Sequence, residues 1–360
     1  MEAKLEVVGR EIIKPSSSAH HDRLQVSLID VFFPQIYVSA IFFYQTDAGG
    51  ESPAIISGKL KSSLSETLSR FYPLAGRIEG FSINCNDEGA VFTEARTDLL
   101  LSDFLKNNLD DTNNLGEFFP KIEPGESAGT WPLLSVKVCF FGSGSGVAVT
   151  VATSHQICDA ASLLTFIQSW ATGNGDMAVT TPHFIGATIY PPPQNSLQAT
   201  SSDDLFGLKG KCVTNRFVFK SSKIADLKRK AASKSVPDSR DAIGNLQSPC
   251  AITNTTFGQN LLISVMGNYL SEVKPDVDLY AMSSWCKKHF YKVDFGWGTP
   301  VWVGSALHTI YDNTVYALLM DSKDGEDVEA WVGLPEQDML MFVRDQDLLT
   351  YAVLNPPVLI

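Results

Sequence analysis

Residues 147–170 read VAVTVATSHQICDAASLLTFIQSW, and the pattern changes period in the middle. The first half, residues 147–153, is strongly β-prone. From Asp159 the apolar residues Leu163, Leu164, Ile167 and Trp170 recur on one helical face. Ser154, His155, Gln156, Ile157, Cys158 and Asp159 lie at the change of period. The hydrophobic strand therefore stops at His155, which predicts an imidazole at an opening instead of deep in a core.

Upstream, residues 133–141 form a second β-prone run, joined to the first by Gly142, Ser143, Gly144, Ser145 and Gly146. These glycines match neither a dinucleotide-binding nor a P-loop spacing and no helix follows them, so they predict a hairpin turn. Residues 4–14 read as a first strand ended by Pro15. After Pro53, the positions Ile56, Leu60, Leu64, Leu68 and Phe71 predict an amphipathic helix stopped by Pro73. Asp87, Glu88, Gly89 and Ala90 read as a hairpin turn. Downstream, residues 173–208 are rich in Pro, Gly, Ser and Thr and predict a linker. A strand over 212–219 and a basic helix over 222–234 follow. The expected fold class is α/β or α+β. The first half spans residues 1–172, a crossover linker 173–208, and the second half 209–360.

With 360 residues the chain is long enough for two cored domains. A net charge of -12 argues against nucleic acid as the main partner, because phosphate neutralisation needs concentrated Lys and Arg. No run reaches the roughly 18 apolar residues of a membrane span, and the start lacks a secretory pattern. The expectation is a cytoplasmic protein without a membrane partner. The six cysteines, Cys85, Cys139, Cys158, Cys212, Cys250 and Cys286, are scattered without a CxxC pair. They read as reduced thiols, neither disulfides nor a metal site.

His155 is the candidate for chemistry, since imidazole titrates near neutrality and can take a proton from an attacking hydroxyl or amine. For a lone histidine the bland reading, a hydrogen-bonded surface or core residue, is commoner, and HxxxD alone is a weak pattern. Asp159 reads as structural: at a helix start it caps free N–H groups, an effect of about 1 kcal/mol. A second island is Asp294, Phe295, Gly296, Trp297 and Gly298, where two glycines around an indole predict a tight turn. Lys223, Lys228, Arg229, Lys230 and Lys234 cluster on the basic helix, where they either receive phosphates or form a solvated face.

His155 to Asp159, followed far downstream by Asp294 to Gly298, resembles the paired HxxxD and DFGWG signatures of the plant BAHD acyltransferases. Tyr72-Pro73-Leu74-Ala75-Gly76-Arg77, Ile243-Gly244-Asn245-Leu246 and Ser283-Ser284-Trp285-Cys286 fit the same family in the same order. The opening Ile12-Ile13-Lys14-Pro15 looks like its alkaloid and alcohol acetyltransferase branch. The resemblance implies two chloramphenicol-acetyltransferase-like domains, each a mixed sheet with helices, and a channel between them. It implies acyl-CoA as co-substrate, with no permanently bound cofactor and no metal, and a small alcohol or amine acceptor. It further implies a monomer. His155 would be the general base, and Asp294 would brace the channel through an ion pair. Ser283 and Trp285 would line the channel as oxyanion candidates. Lys228, Arg229 and Lys230 are candidates for the cofactor phosphates.

One stretch departs from the family pattern. Where relatives carry a further helix and strand, Ser239 is followed at once by Arg240, Asp241, Ala242 and Ile243, so a segment is missing near residues 239–241. Such a segment could bury on the order of 1,000 Å² of apolar surface, roughly 25 kcal/mol gross. That predicts a weakened, truncated second domain. Two functions follow: an active acyl-CoA-dependent O- or N-acyltransferase, or a catalytically impaired relative. A serine hydrolase lacks support, because no GxSxG elbow is present.

Overall fold

A computed structural model describes residues 4–18, 22–32, 36–46, 49–107, 109, 115–122, 130–173, 181–192, 212–233, 281–305 and 315–360. The chain begins with β1 (Glu6–Ile13), β2 (Arg23–Gln25), α1 (Leu28–Phe32), β3 (Tyr37–Gln45) and α2 (Pro53–Arg70). There follow β4 (Arg77–Glu79), β5 (Ser82–Asn84), β6 (Ala90–Arg96), α3 (Leu101–Asn107), β7 (Leu134–Phe140) and β8 (Gly146–Ser154). Next come α4 (Ala160–Thr172), α5 (Gly186–Ile189), β9 (Cys212–Phe219) and α6 (Ser221–Ser233). The chain closes with β10 (Ala281–Ser284), β11 (Trp302–Ser305), β12 (Tyr316–Asp321), β13 (Val328–Pro335), α7 (Glu336–Phe342), α8 (Gln346–Tyr351) and β14 (Ala352–Leu354).

Three sheets result. The largest has the order β1-β6-β7-β8-β3-β11, the second β10-β12-β13-β9-β14, and a small third β2-β5-β4. The first two are mixed: β6 and β7 run parallel, as do β10 and β12, and the other ladders are antiparallel. This is the mixed-sheet, helix-covered architecture that the motif pairing implied. Among the described residues, no helix is long and apolar enough to cross a membrane.

The helical periodicity after Pro53 converts directly into burial: Ile56, Leu60, Leu64, Leu68 and Phe71 all lie in the core of the large sheet. So do Leu163, Leu164, Ile167 and Trp170 of α4, which packs beside α2. Trp170 joins the two helices by a polar contact inside an apolar layer: its Nε1 donates to Leu60 O (3.1 Å) and to Ser63 Oγ (3.0 Å). An indole N–H so deep requires partners.

One local expectation is corrected. Asp87 to Ala90 do not turn a hairpin, because β5 and β6 belong to different sheets. The hairpin is one step earlier: β4 and β5 pair with Glu79 opposite Ser82, leaving a two-residue turn at Gly80 and Phe81. The large sheet also draws on chain from beyond residues 173–208. β11, far downstream, pairs with β3 (Trp302 with Phe43, Ser305 with Ala40) and completes the large sheet. Apolar strands at a sheet edge leave unpaired N–H and C=O groups, and β11 satisfies those of β3.

The two large sheets meet at Trp302. Its Nε1 reaches Glu329 Oε1 (3.5 Å) on β13, and the Arg216 guanidinium of β9 lies 5.4 Å from its ring centre. Arg216 and Glu329 are both buried and ion-paired at 3.1 Å. Arg216 also donates to Pro356 O, which ties the chain end into the junction.

Candidate active site

β8 ends at Ser154, whose N–H donates to Leu133 O (3.0 Å), and the next N–H, that of His155, donates to Ile36 O (2.7 Å). Both bonds fasten the turn to neighbouring chain just before β3 and β7. They fix where the imidazole leaves the sheet. The side chain is half-buried. Burial is the main influence on it and lowers its pKa below the ordinary value, against a hydrogen bond to its own backbone and the charge of Asp159, which raise it. The imidazole is thereby held neutral near pH 7, the form that accepts a proton.

Asp159 caps α4. Its Oδ1 accepts from Ser162 N at 2.7 Å, and its backbone is extended (φ -86°, ψ 177°) as a capping residue requires. A second carboxylate stands in its field. Asp30 of α1 has its pKa raised, chiefly by burial and partly by the charge of Asp159. Asp30 Oδ2 accepts from Ser27 N (2.7 Å), and Ser27 Oγ accepts from Asp30 N (3.2 Å). Sequence reading missed Asp30, although Ser27-Leu28-Ile29-Asp30 has the spacing of a reciprocal cap.

The second motif is placed elsewhere. Phe295 packs edge-on against Trp170 (4.8 Å) and Tyr44 (5.9 Å), and Trp297 against Tyr44 (5.5 Å). Tyr44 Oη donates to Val293 O (3.1 Å). Trp170 lies ten residues beyond Ala160 on α4, about 15 Å at the helical rise. Tyr44 lies seven residues beyond Tyr37, the partner of Ser154, about 24 Å along β3. The two signatures therefore sit at opposite ends of one strand and one helix.

Asp294 was expected to form an ion pair. Among the described residues it forms none; its Oδ1 instead accepts from Gly296 N (2.7 Å) and Gly298 N (2.9 Å). Gly296 and Gly298 have φ +99° and +85°, and a Cβ on either would meet open space. Glycine is needed there for its backbone conformation, not for room. The reason for the difference is local: a carboxylate two residues before a left-handed turn finds backbone N–H groups within reach.

Ser283 is exposed on β10. Trp285 is buried, its ring stacked on Phe290 at 4.9 Å, and Phe290 lies against Phe42 at 6.2 Å. On α6, Lys228, Arg229 and Lys230 are exposed. Arg229 is paired with Asp226, and Lys230 lies 5.5 Å from the Tyr351 ring centre. Lys234, Arg240, Ile243-Gly244-Asn245-Leu246 and the stretch near residues 239–241 fall outside the described residues. Arg216 and Glu329 also escaped sequence reading, since single charges inside β-prone runs look like solvent-facing positions.

Comparison with known proteins places this geometry. The model of the Transferase family matches residues 3–257 and 250–349. BAHD acyltransferase BIA1 of Arabidopsis thaliana is 49% identical over 439 aligned positions, covering 99% of this chain and all of the relative. That alignment is 79 positions longer than the 360 residues here, so the relative carries segments with no counterpart in this chain. Limonoid 21-O-acetyltransferase of Melia azedarach is 29% identical, covering 99% of this chain and all of the relative. The crystal structure of vinorine synthase superposes with a TM-score of 0.78 at 29% identity, covering 97% of this chain and 98% of that one. The two-sheet architecture, the match to the family over most of the chain and the near-complete alignment to BIA1 make this chain a member of the plant BAHD acyltransferase family.

Proposed function

We propose that this acyltransferase moves an acyl group, acetyl in the first instance, from coenzyme A to a small specialised-metabolite alcohol or amine, with His155 as the general base. The observation that carries the reading is the half-buried imidazole held where β8 ends, with burial lowering its pKa. The neutral ring takes the proton from the acceptor O–H or N–H as that atom bonds to the thioester carbonyl carbon. The tetrahedral oxyanion then collapses, the C–S bond breaks, and the imidazolium returns its proton to the departing thiolate. A donor aimed at the oxyanion contributes about 2.7–4 kcal/mol in comparable enzymes. Ser283 and Trp285 are the sequence candidates for that donor, but Trp285 packs through Phe290 at the level of Phe42, five residues along β3 from Tyr37, so neither is assigned the role.

The acyl group is supported by relatives. Limonoid O-acetyltransferases of Melia azedarach and Citrus sinensis are among them, and a Strychnos nux-vomica relative is an N-malonyltransferase. The TRI101 structure from F. sporotrichioides, complexed with coenzyme A and T-2, shares the fold at 15% identity with a TM-score of 0.65. A second reading, an impaired relative, is favoured by the missing segments. The test is thiol release from acetyl-, malonyl- and aromatic acyl-CoA with mixed alcohol and amine acceptors, using the folded chain beside His155→Ala. Turnover lost in the variant supports the enzyme reading. No turnover from the folded, unmutated chain with any donor leaves the impaired relative.

A further inference from the structure

A cavity of about 530 Å³ opens beside β12, between the segment that follows β10 and the turn joining β12 to β13. Lys287, Lys292 and Lys323 stand on its rim, with His289 between the first two. Among the described residues, none of these three ammonium groups has an ion-pair partner. Two carboxylates share the rim but are engaged in folding it. Asp321 accepts from the backbone N–H of Lys287 (2.5 Å), and Asp324 accepts from Ser322 Oγ (2.5 Å) and Glu326 N (3.0 Å).

The backbone at the rim is costly. Lys287 and His289 both adopt left-handed conformations, φ +63° and +62°, which are unfavourable for non-glycine residues. Such positions persist where the surroundings over-determine them, and they concentrate at functional sites. The inner wall is the buried Trp285 and Phe290 pair, so the cations stand over an apolar floor. In a chain of net charge -12, three ammonium groups from two separate segments outnumber the two carboxylates on the same rim, which leaves this concavity locally cationic. Rotatable N–H donors on flexible stems suit the oxygens of a phosphate.

We propose that this cavity is a phosphate subsite. The phosphate has two possible sources: the phosphorylated end of the coenzyme A co-substrate, which rests on the acyl-CoA reading above, or a separate phosphorylated metabolite, which does not. Phe290 touches Phe42, five residues along β3 from Tyr37, about 17 Å at the strand rise. That offset from the His155 turn suits the far end of an extended thioester arm better than its reacting carbonyl.

The test is calorimetric titration of the full chain with pyrophosphate and with coenzyme A, comparing wild type with Lys287→Gln/Lys323→Gln. Lys287→Arg/Lys323→Arg, which keeps the charge, and Lys228→Gln on α6 are controls. Expected is a loss of tenfold or more in affinity for at least one ligand in the Gln pair, retained in the Arg pair. Weakened coenzyme A binding identifies the co-substrate as the source. Weakened pyrophosphate binding with coenzyme A unaffected identifies a separate phosphate. Neither titration needs turnover, so an inactive chain still answers. Equal affinities in wild type and Gln pair, a loss confined to Lys228→Gln, or no binding of either ligand by wild type overturns the proposal.

Discussion

The two ends of α4 carry the two motifs, and they are built on opposite terms. At the start of the helix stand polar groups: a half-buried imidazole, a capping carboxylate, and Asp30 within its field. At the other end Trp170 is fully buried against Phe295 and the polar atoms of α2, and Tyr44 packs on Phe295 in turn. One end leaves a group able to exchange a proton; the other packs aromatic rings that fix the segment leading into β11. The lesson is that two signatures recognised together in a sequence need not form one site. Here α4 and β3 separate the His155 turn from the aromatic turn that packs on Trp170.

Substitutions should separate the two ends by what they damage. His155→Ala is expected to lower turnover by about 10²–10⁴-fold, the range for a general base, with an unchanged melting temperature. Trp170→Ala removes a large core side chain and its two hydrogen bonds, and is expected to cost about 3–5 kcal/mol in urea unfolding. If Trp170→Ala left stability intact while abolishing turnover, the division between the ends would be broken.

Gly296→Ala sharpens the contrast. Its Cβ meets open space, so any loss comes from the left-handed backbone alone, about 1–2 kcal/mol of stability, with activity per folded molecule retained. A loss as large as that of Trp170→Ala would point to a contact and not to backbone strain.

The smallest effects lie at Asp159 and can be read by pH. Burial lowers the His155 pKa, so the neutral base persists below its ordinary value of about 6.5. The acid limb of kcat/KM is therefore expected below that pH, with a plateau above it. Asp159 raises the His155 pKa, so Asp159→Asn should move the limb further down while an amide still caps α4. Asp159→Ala should add a stability loss of about 1 kcal/mol. A limb above pH 6.5 in wild type, or one that Asp159→Asn shifts upward, contradicts this assignment.

Much was legible in the residues themselves. Ile56 to Phe71 announce a buried helical face, and Val147 onward a strand that ends at His155, because side-chain period reports secondary structure directly. The paired signatures announced the family. What stayed hidden depends on partners distant in sequence. Asp294 looked like half of an ion pair until its carboxylate was seen on two glycine N–H groups four residues or fewer away. Arg216 and Glu329 are brought together only by the pairing of β9 with β13 and by Trp302 beside them.

By itself the sequence determined the elements, the position of His155 between strand and helix, and membership of the acyltransferase family. These follow from local spacing and short motifs, which need no third dimension. Only the tertiary structure decided that β11 completes the first sheet, that the DFGWG turn braces the end of α4 away from His155, and that three lysines ring one cavity. Each depends on long-range pairing of strands, and backbone hydrogen-bonding capacity says that strands must pair without saying with which partner.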